Sequence, residues 1–98
     1  MSTDTHRDEQ ALVLRDDGRS FVGIAGLLEL DSSRAANAAF NRGLRGRPNA
    51  EQAWLRSREV ARLNALASRL RGRDDLSVED VVRRLCGLQH ERERVLAA

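Results

Sequence analysis

No stretch of this chain alternates apolar and polar residues over the length of a strand, whereas helix-capping signals recur along the whole of it. Side chains repeat every second residue in a strand and every ~3.6 in a helix, so this pattern leaves helices as the regular structure able to bury the apolar side chains. β-Branched residues are few beside Ala, Leu and Arg, which points the same way. The expected fold class is all-α. With 98 residues, 41% of them hydrophobic, the chain suffices for one domain, or one with an appendage, and has no room for a second catalytic domain.

Punctuation divides the chain into five helical segments. Thr5, followed three residues later by Asp8, caps a helix over about His6 to Asp17, and Gly18 suits its left-handed stop. Ser20 caps a second segment, Phe21 to Leu30, in which Phe21, Ile24, Ala25, Leu27 and Leu28 recur at three- and four-residue steps. Asp31, Ser32 and Ser33 break that pattern and open a third helix to Arg45. Ala35, Ala38, Ala39 and Leu44 are its small or apolar packing residues, Phe40 is its large anchor, and Gly46 and Pro48 end it. Asn49 with Gln52 opens a long helix from about Ala50 to Arg71, which Gly72 closes. Ser77 with Asp80 caps the last helix, where Val78, Val81, Leu85, Leu88 and Val95 form a narrow seam interrupted by Arg92.

The two halves differ in character. Residues 1–48 read as a compact unit of three short helices, and residues 49–98 as a longer, more charged helical hairpin. A charged hairpin with an apolar seam suits oligomerisation or partner binding, with Val78, Val81, Leu85 and Leu88 as its contact residues.

The segment from Ser20 to Asn37 resembles a helix-turn-helix. Ile24-Ala25, with Leu28 three residues after the alanine, matches the first helix of that family; Leu30 is the apolar residue after the turn and Asp31 the cap of the recognition helix. A small Ala25 lets the two helices cross steeply, and Leu28 and Leu30 plug the corner. Glu29 stands where the turn often has Gly, so the turn is expected to form without the favoured left-handed residue. Ala35 replaces the usual Val or Ile. Gly23 and Gly26 cost about 1 kcal/mol each against Ala within a helix. They share one face, where a close helix neighbour or a DNA backbone would explain both.

Charge placement bears on the same segment. All 17 basic residues are arginine, a bias that GC-rich coding alone would produce, and the net charge is only +2. Their positions carry more than their number. Residues 32–47 hold Arg34, Arg42, Arg45 and Arg47 and no acid, whereas residues 1–31 hold three arginines against seven acids. Asn37 and Asn41, one turn apart, are expected to share an exposed face with Arg34 and Arg45. Amides pair bidentately with adenine, and guanidinium groups with guanine or phosphate. The expected DNA-binding set is Ser32, Ser33, Arg34, Asn37, Asn41, Arg42, Arg45 and Arg47. The bland alternative is a solvated arginine face.

The resemblance extends to small helix-turn-helix proteins of actinobacterial chromosomes and phages, including the small subunits of phage DNA-packaging terminases. It rests on Asp17-Gly18-Arg19-Ser20-Phe21, on the stretch from Asn37 to Arg45 and on Arg58-Glu59-Val60-Ala61-Arg62-Leu63. The terminase relatives imply an N-terminal DNA-binding unit followed by a helical oligomerisation region.

Other classes find little support. One Trp, two Phe and no Tyr are too few for a base-stacking platform. His90-Glu91 lacks the second histidine of a zinc-protease helix, since Arg94 occupies that place. Cys86 and His90 offer two metal ligands where a structural zinc site needs four. No phosphate loop, nucleophile elbow or apolar carboxylate pair occurs, so no catalytic residue, metal or cofactor is expected and the chain reads as a non-enzyme. A lone cysteine, a polar N-terminus and the lack of any long apolar run point to the cytoplasm and away from a membrane. Trp54 reads either as a core residue or as a partner anchor. The expected function is sequence-preferring binding of double-stranded DNA by a homo-oligomer, in transcription regulation or phage-type packaging. The alternative is a helical interaction module, an adaptor or inhibitor of a larger protein, without DNA binding.

Overall fold

The computed structural model describes residues 3–97; Met1, Ser2 and Ala98, the outer ends of the two expected halves, lie outside the described residues. Five helices follow one another: α1 (Thr3–Asp16), α2 (Phe21–Leu27), α3 (Ser33–Arg45), α4 (Asn49–Arg71) and α5 (Val78–Ala97). Among the described residues there is no strand, and no helix is long and apolar enough to cross a membrane. The fold is all-α.

The chain divides into two compact units, the first running to Gln52 and the second covering Ala53–Ala97. The division falls inside the first turn of α4, because Gln52 is tied to the segment after α3: its Nε2 donates to the carbonyls of Arg45 (3.3 Å) and Arg47 (2.6 Å).

In the first unit, α3 packs on both α1 and α2. Its core is Ala11 and Leu12 from α1, Phe21, Ile24 and Ala25 from α2, and Ala36, Ala39, Phe40 and Leu44 from α3. The Phe21 and Phe40 rings meet at 5.8 Å in a tilted arrangement. Each fully buried large apolar side chain contributes about 1.5–3 kcal/mol, so this small set carries most of the unit's stability.

A left-handed stop ends α1, and one close fit brings α1 onto α3. Gly18, at φ +95°, ends α1, with the Arg19 N–H returning to the Leu14 carbonyl (3.1 Å) and the Gly18 N–H to that of Arg15 (2.9 Å), as a left-handed helix stop requires. The buried Arg15 side chain spans that corner, donating to the Arg19 carbonyl (3.1 Å) and lying 3.9 Å above the Phe21 ring. Further along, α1 and α3 approach so closely at Gly43 that a Cβ there would lie 2.5 Å from the Asp8 carbonyl oxygen. No such neighbour stands beside Gly23 or Gly26: both are exposed, and nothing lies within 4 Å of a Cβ on Gly26.

In the second unit, Arg56 Nε donates to the Val95 carbonyl (3.2 Å), so the start of α4 lies beside the end of α5 and the two run antiparallel. Leu63 and Val95 are fully buried, and buried Glu59 accepts from Arg62 at 2.7 Å. Ser77 caps α5 by accepting the Asp80 N–H (3.2 Å). In the connection before it, the hydrogen bond from Arg73 holds the Asp75 carboxyl down to about 2. Trp54 is 55% exposed, with the Arg58 guanidinium 4.7 Å from its ring centre, and is therefore not a core residue.

Candidate nucleic-acid interface

Leu28 to Ser32 join α2 to α3. Leu28 closes α2, its N–H reaching the Ile24 carbonyl (2.9 Å), and the Leu30 N–H returns to the Ala25 carbonyl (2.8 Å) across Glu29. Glu29 has φ +56°, alone among the described non-glycine residues in being left-handed. The turn is therefore made in the conformation that glycine favours, and Glu29 adopts it at a cost of roughly 1–2 kcal/mol for a residue with a Cβ. Leu28 and Leu30 are half-buried at the corner and Ala25 is buried beneath it. The second segment is thus shorter than its apolar pattern extends, because the last leucines serve the turn.

Ser32 begins α3, its Oγ accepting the Ala35 N–H (3.1 Å), so Ser32 and not Asp31 is the cap. Counted at about 100° per residue, the buried positions of α3, from Ala39 round through Ala36, Phe40 and Leu44 to Asn41, span roughly 200° of its circumference. The exposed remainder is a stripe of Arg34, Ala38, Arg42 and Arg45; Ser33, in line with the buried face, is exposed because it is the first residue of the helix.

This corrects the placement of two expected residues. Asn37 and Asn41 are only 4% and 6% exposed and are not part of the exposed stripe with Arg34 and Arg45, although Asn41 lies at its edge. They pair with each other: Asn41 Nδ2 donates to the Asn37 side-chain oxygen (2.6 Å) and carbonyl (3.0 Å). The reason is geometric. A helix packed on two neighbours buries a wider arc than an amphipathic pattern implies, and two small polar residues that pair with each other can occupy its margin, here leaving Asn41 Oδ1 buried without a hydrogen bond. Ala38, expected as a packing residue, is instead exposed.

The arginines differ in what they are free to do. Arg42 forks onto Asp8 of α1, Nε reaching both carboxylate oxygens (3.2 and 3.1 Å) and Nη2 reaching Oδ1 (3.0 Å). Arg47 Nη2 lies 2.6 Å from Glu9 and its Nη1 3.8 Å from Glu51, while its Nε is buried without a hydrogen bond. Arg34 and Arg45 are exposed and make no ion pair among the described residues. Part of the acidic excess of residues 1–31 therefore meets the basic excess of residues 32–47 inside the unit. Nothing local in the sequence marks Asp8 and Glu9 for this role, since their partners lie 34 and 38 residues away.

The expected seam residues of α5 fall into two groups. Val78 is 80% exposed, whereas Val81, Leu85 and Leu88 are half-buried or flank the buried side. Leu85 and Leu88 line a groove of about 430 Å³ with Leu63 and Ala67 of α4. Cys86 is exposed, and among the described residues no group of His, Cys, Asp or Glu could hold a metal ion. No protein family, curated protein or solved structure matches this chain, so the chemistry of the site is read from its own residues.

Proposed function

We propose that α2, its turn and α3 act as a helix-turn-helix that lays the exposed stripe of α3 in the major groove of duplex DNA. The observation that carries this reading is the pair Arg34 and Arg45, exposed on either side of Ala38 with no acidic partner among the described residues. With the N-terminal half of the helix in the groove, Arg34 pairs with a guanine edge, Ala38 meets a thymine methyl and Arg45 reaches phosphate. The bare backbone at Gly23 and Gly26 allows a sugar–phosphate strand to come close to α2.

The chain works as a homo-oligomer in the cytoplasm, Val78 and the neighbouring seam of α5 joining copies so that two half-sites are engaged together. Transcription regulation and phage-type DNA packaging are the processes that the resemblance of the sequence implies. An electrophoretic shift on mixed-sequence duplex at two salt concentrations tests the reading: binding should weaken steeply with salt, and Arg34→Ala with Arg45→Ala should remove most of it.

A second reading, a protein-interaction module, draws on the exposed Trp54, Val82 and Leu96 of the second unit. It requires no duplex binding, and the same experiment separates the two.

A further inference from the structure

We propose that α1 carries a built-in competitor for DNA: Asp8 and Glu9 occupy Arg42 and Arg47 in place of phosphates, so that duplex binding exchanges internal ion pairs for external ones. This rests on the helix-turn-helix reading above and adds to it a residue pair that sets affinity.

The geometry singles out competition rather than support. Arg42 belongs to the exposed stripe of α3, its side chain 49% exposed, yet the Nε and Nη2 edge that would fork onto a phosphate is the edge given to Asp8. Arg47 is more fully engaged. Nη2 is bound to Glu9, Nη1 faces Glu51 at 3.8 Å and Nε is buried, so the charge that a phosphate would take is already shared between two carboxylates until Glu9 lets go. The competitor cannot drift away, because Asp8 sits where the α1 backbone abuts Gly43, one residue from Arg42. A carboxylate held there presents two anionic oxygens to a guanidinium, as a phosphate does. The Arg47–Glu9 pair is partly exposed on both sides and is given up readily to a stronger anion, whereas the Asp8 carboxylate, 14% exposed, holds Arg42 more firmly. The arrangement therefore lowers affinity for any single phosphate strand while leaving Arg34 and Arg45 to make first contact.

The test is a fluorescence-anisotropy titration of a labelled mixed-sequence duplex over a salt series with the full chain. Proteins compared are the wild type, Asp8→Asn, Glu9→Gln, Arg42→Ala and the Asp8→Asn/Arg42→Ala pair. Each carboxamide keeps the size of the acid, and far-UV circular dichroism with a thermal melt establishes that each variant is folded. Asp8→Asn and Glu9→Gln should each tighten binding roughly two- to fivefold. Each should also steepen the slope of log affinity against log salt by up to about 0.9, one phosphate contact.

The gain from Asp8→Asn should vanish in the Arg42→Ala background, since it acts through that guanidinium. A gain that persists there is general charge removal and overturns the competition, as does unchanged or weakened binding in both carboxamide variants. Duplex binding by neither the wild type nor the carboxamide variants overturns the helix-turn-helix reading along with it. Binding by the wild type without the gain overturns the competition alone.

Discussion

At the scale of single residues, the two positions that depart most from expectation are Glu29 and Asn37. Glu29 shows that a missing glycine does not abolish a left-handed turn; the chain adopts φ +56° anyway, because the Leu30 N–H and the half-buried leucines at the corner compensate. Glu29→Gly should therefore stabilise the protein by about 0.5–1 kcal/mol, the relieved backbone strain partly offset by glycine's greater freedom when unfolded, seen as a higher melting temperature. A lower one would mean that the glutamate side chain contributes something beyond the turn. Asn37 is legible in the sequence as a polar residue on the third helix but not as a buried one, since the period of α3 cannot tell a helix with one neighbour from a helix with two. Asn37→Ala strands the buried Asn41 amide with only a backbone acceptor and should cost about 1–3 kcal/mol. Urea unfolding measures this. A cost near zero, with DNA affinity changed, would return Asn37 to the surface.

At the scale of helices, their number and three of their starts can be read from caps: Ser20, Ser32 and Ser77 each accept a backbone N–H three residues on, whereas Thr5, expected to cap the first helix, lies inside α1. Packing between helices cannot, because it depends on which faces meet. The glycines illustrate the difference. Gly23 and Gly26 stand out in the sequence, yet the close approach of α1 to α3 is at Gly43, in a stretch whose small residues all look alike. Gly43→Ala must push α1 off α3 and should cost about 1–3 kcal/mol. Gly26→Ala, facing open space, should instead add up to about 1 kcal/mol through helix propensity. Thermal melts of the two variants should shift in opposite directions, and shifts of the same sign would contradict the α1–α3 packing described. If α2 also lies along a DNA strand, Gly26→Ala will weaken duplex binding while raising stability.

At the scale of the whole molecule, the acidic and basic blocks are plain in the sequence, but their destination is not. Opposite blocks on one small unit can both face solvent or neutralise each other, and here Arg42 and Arg47 are neutralised while Arg34 and Arg45 remain exposed. Self-association belongs to this scale too. Val78→Asp changes the most exposed seam residue of α5 without opening a core, so it should leave the melt nearly unchanged and shift sedimentation towards a monomer. A wild-type protein that sediments as a monomer at high micromolar concentration would remove the oligomer from the account. The central claim, that the exposed stripe of α3 is a DNA-binding face, is tested most directly by the salt dependence of duplex affinity for the wild type beside the Arg34→Ala/Arg45→Ala variant. The wild type should bind with a steep negative slope and the variant with a slope shallower by about 1.8, the amount that two arginines neutralising one phosphate each would supply. Equal slopes in the two proteins, or no duplex binding at low salt by either, would contradict it.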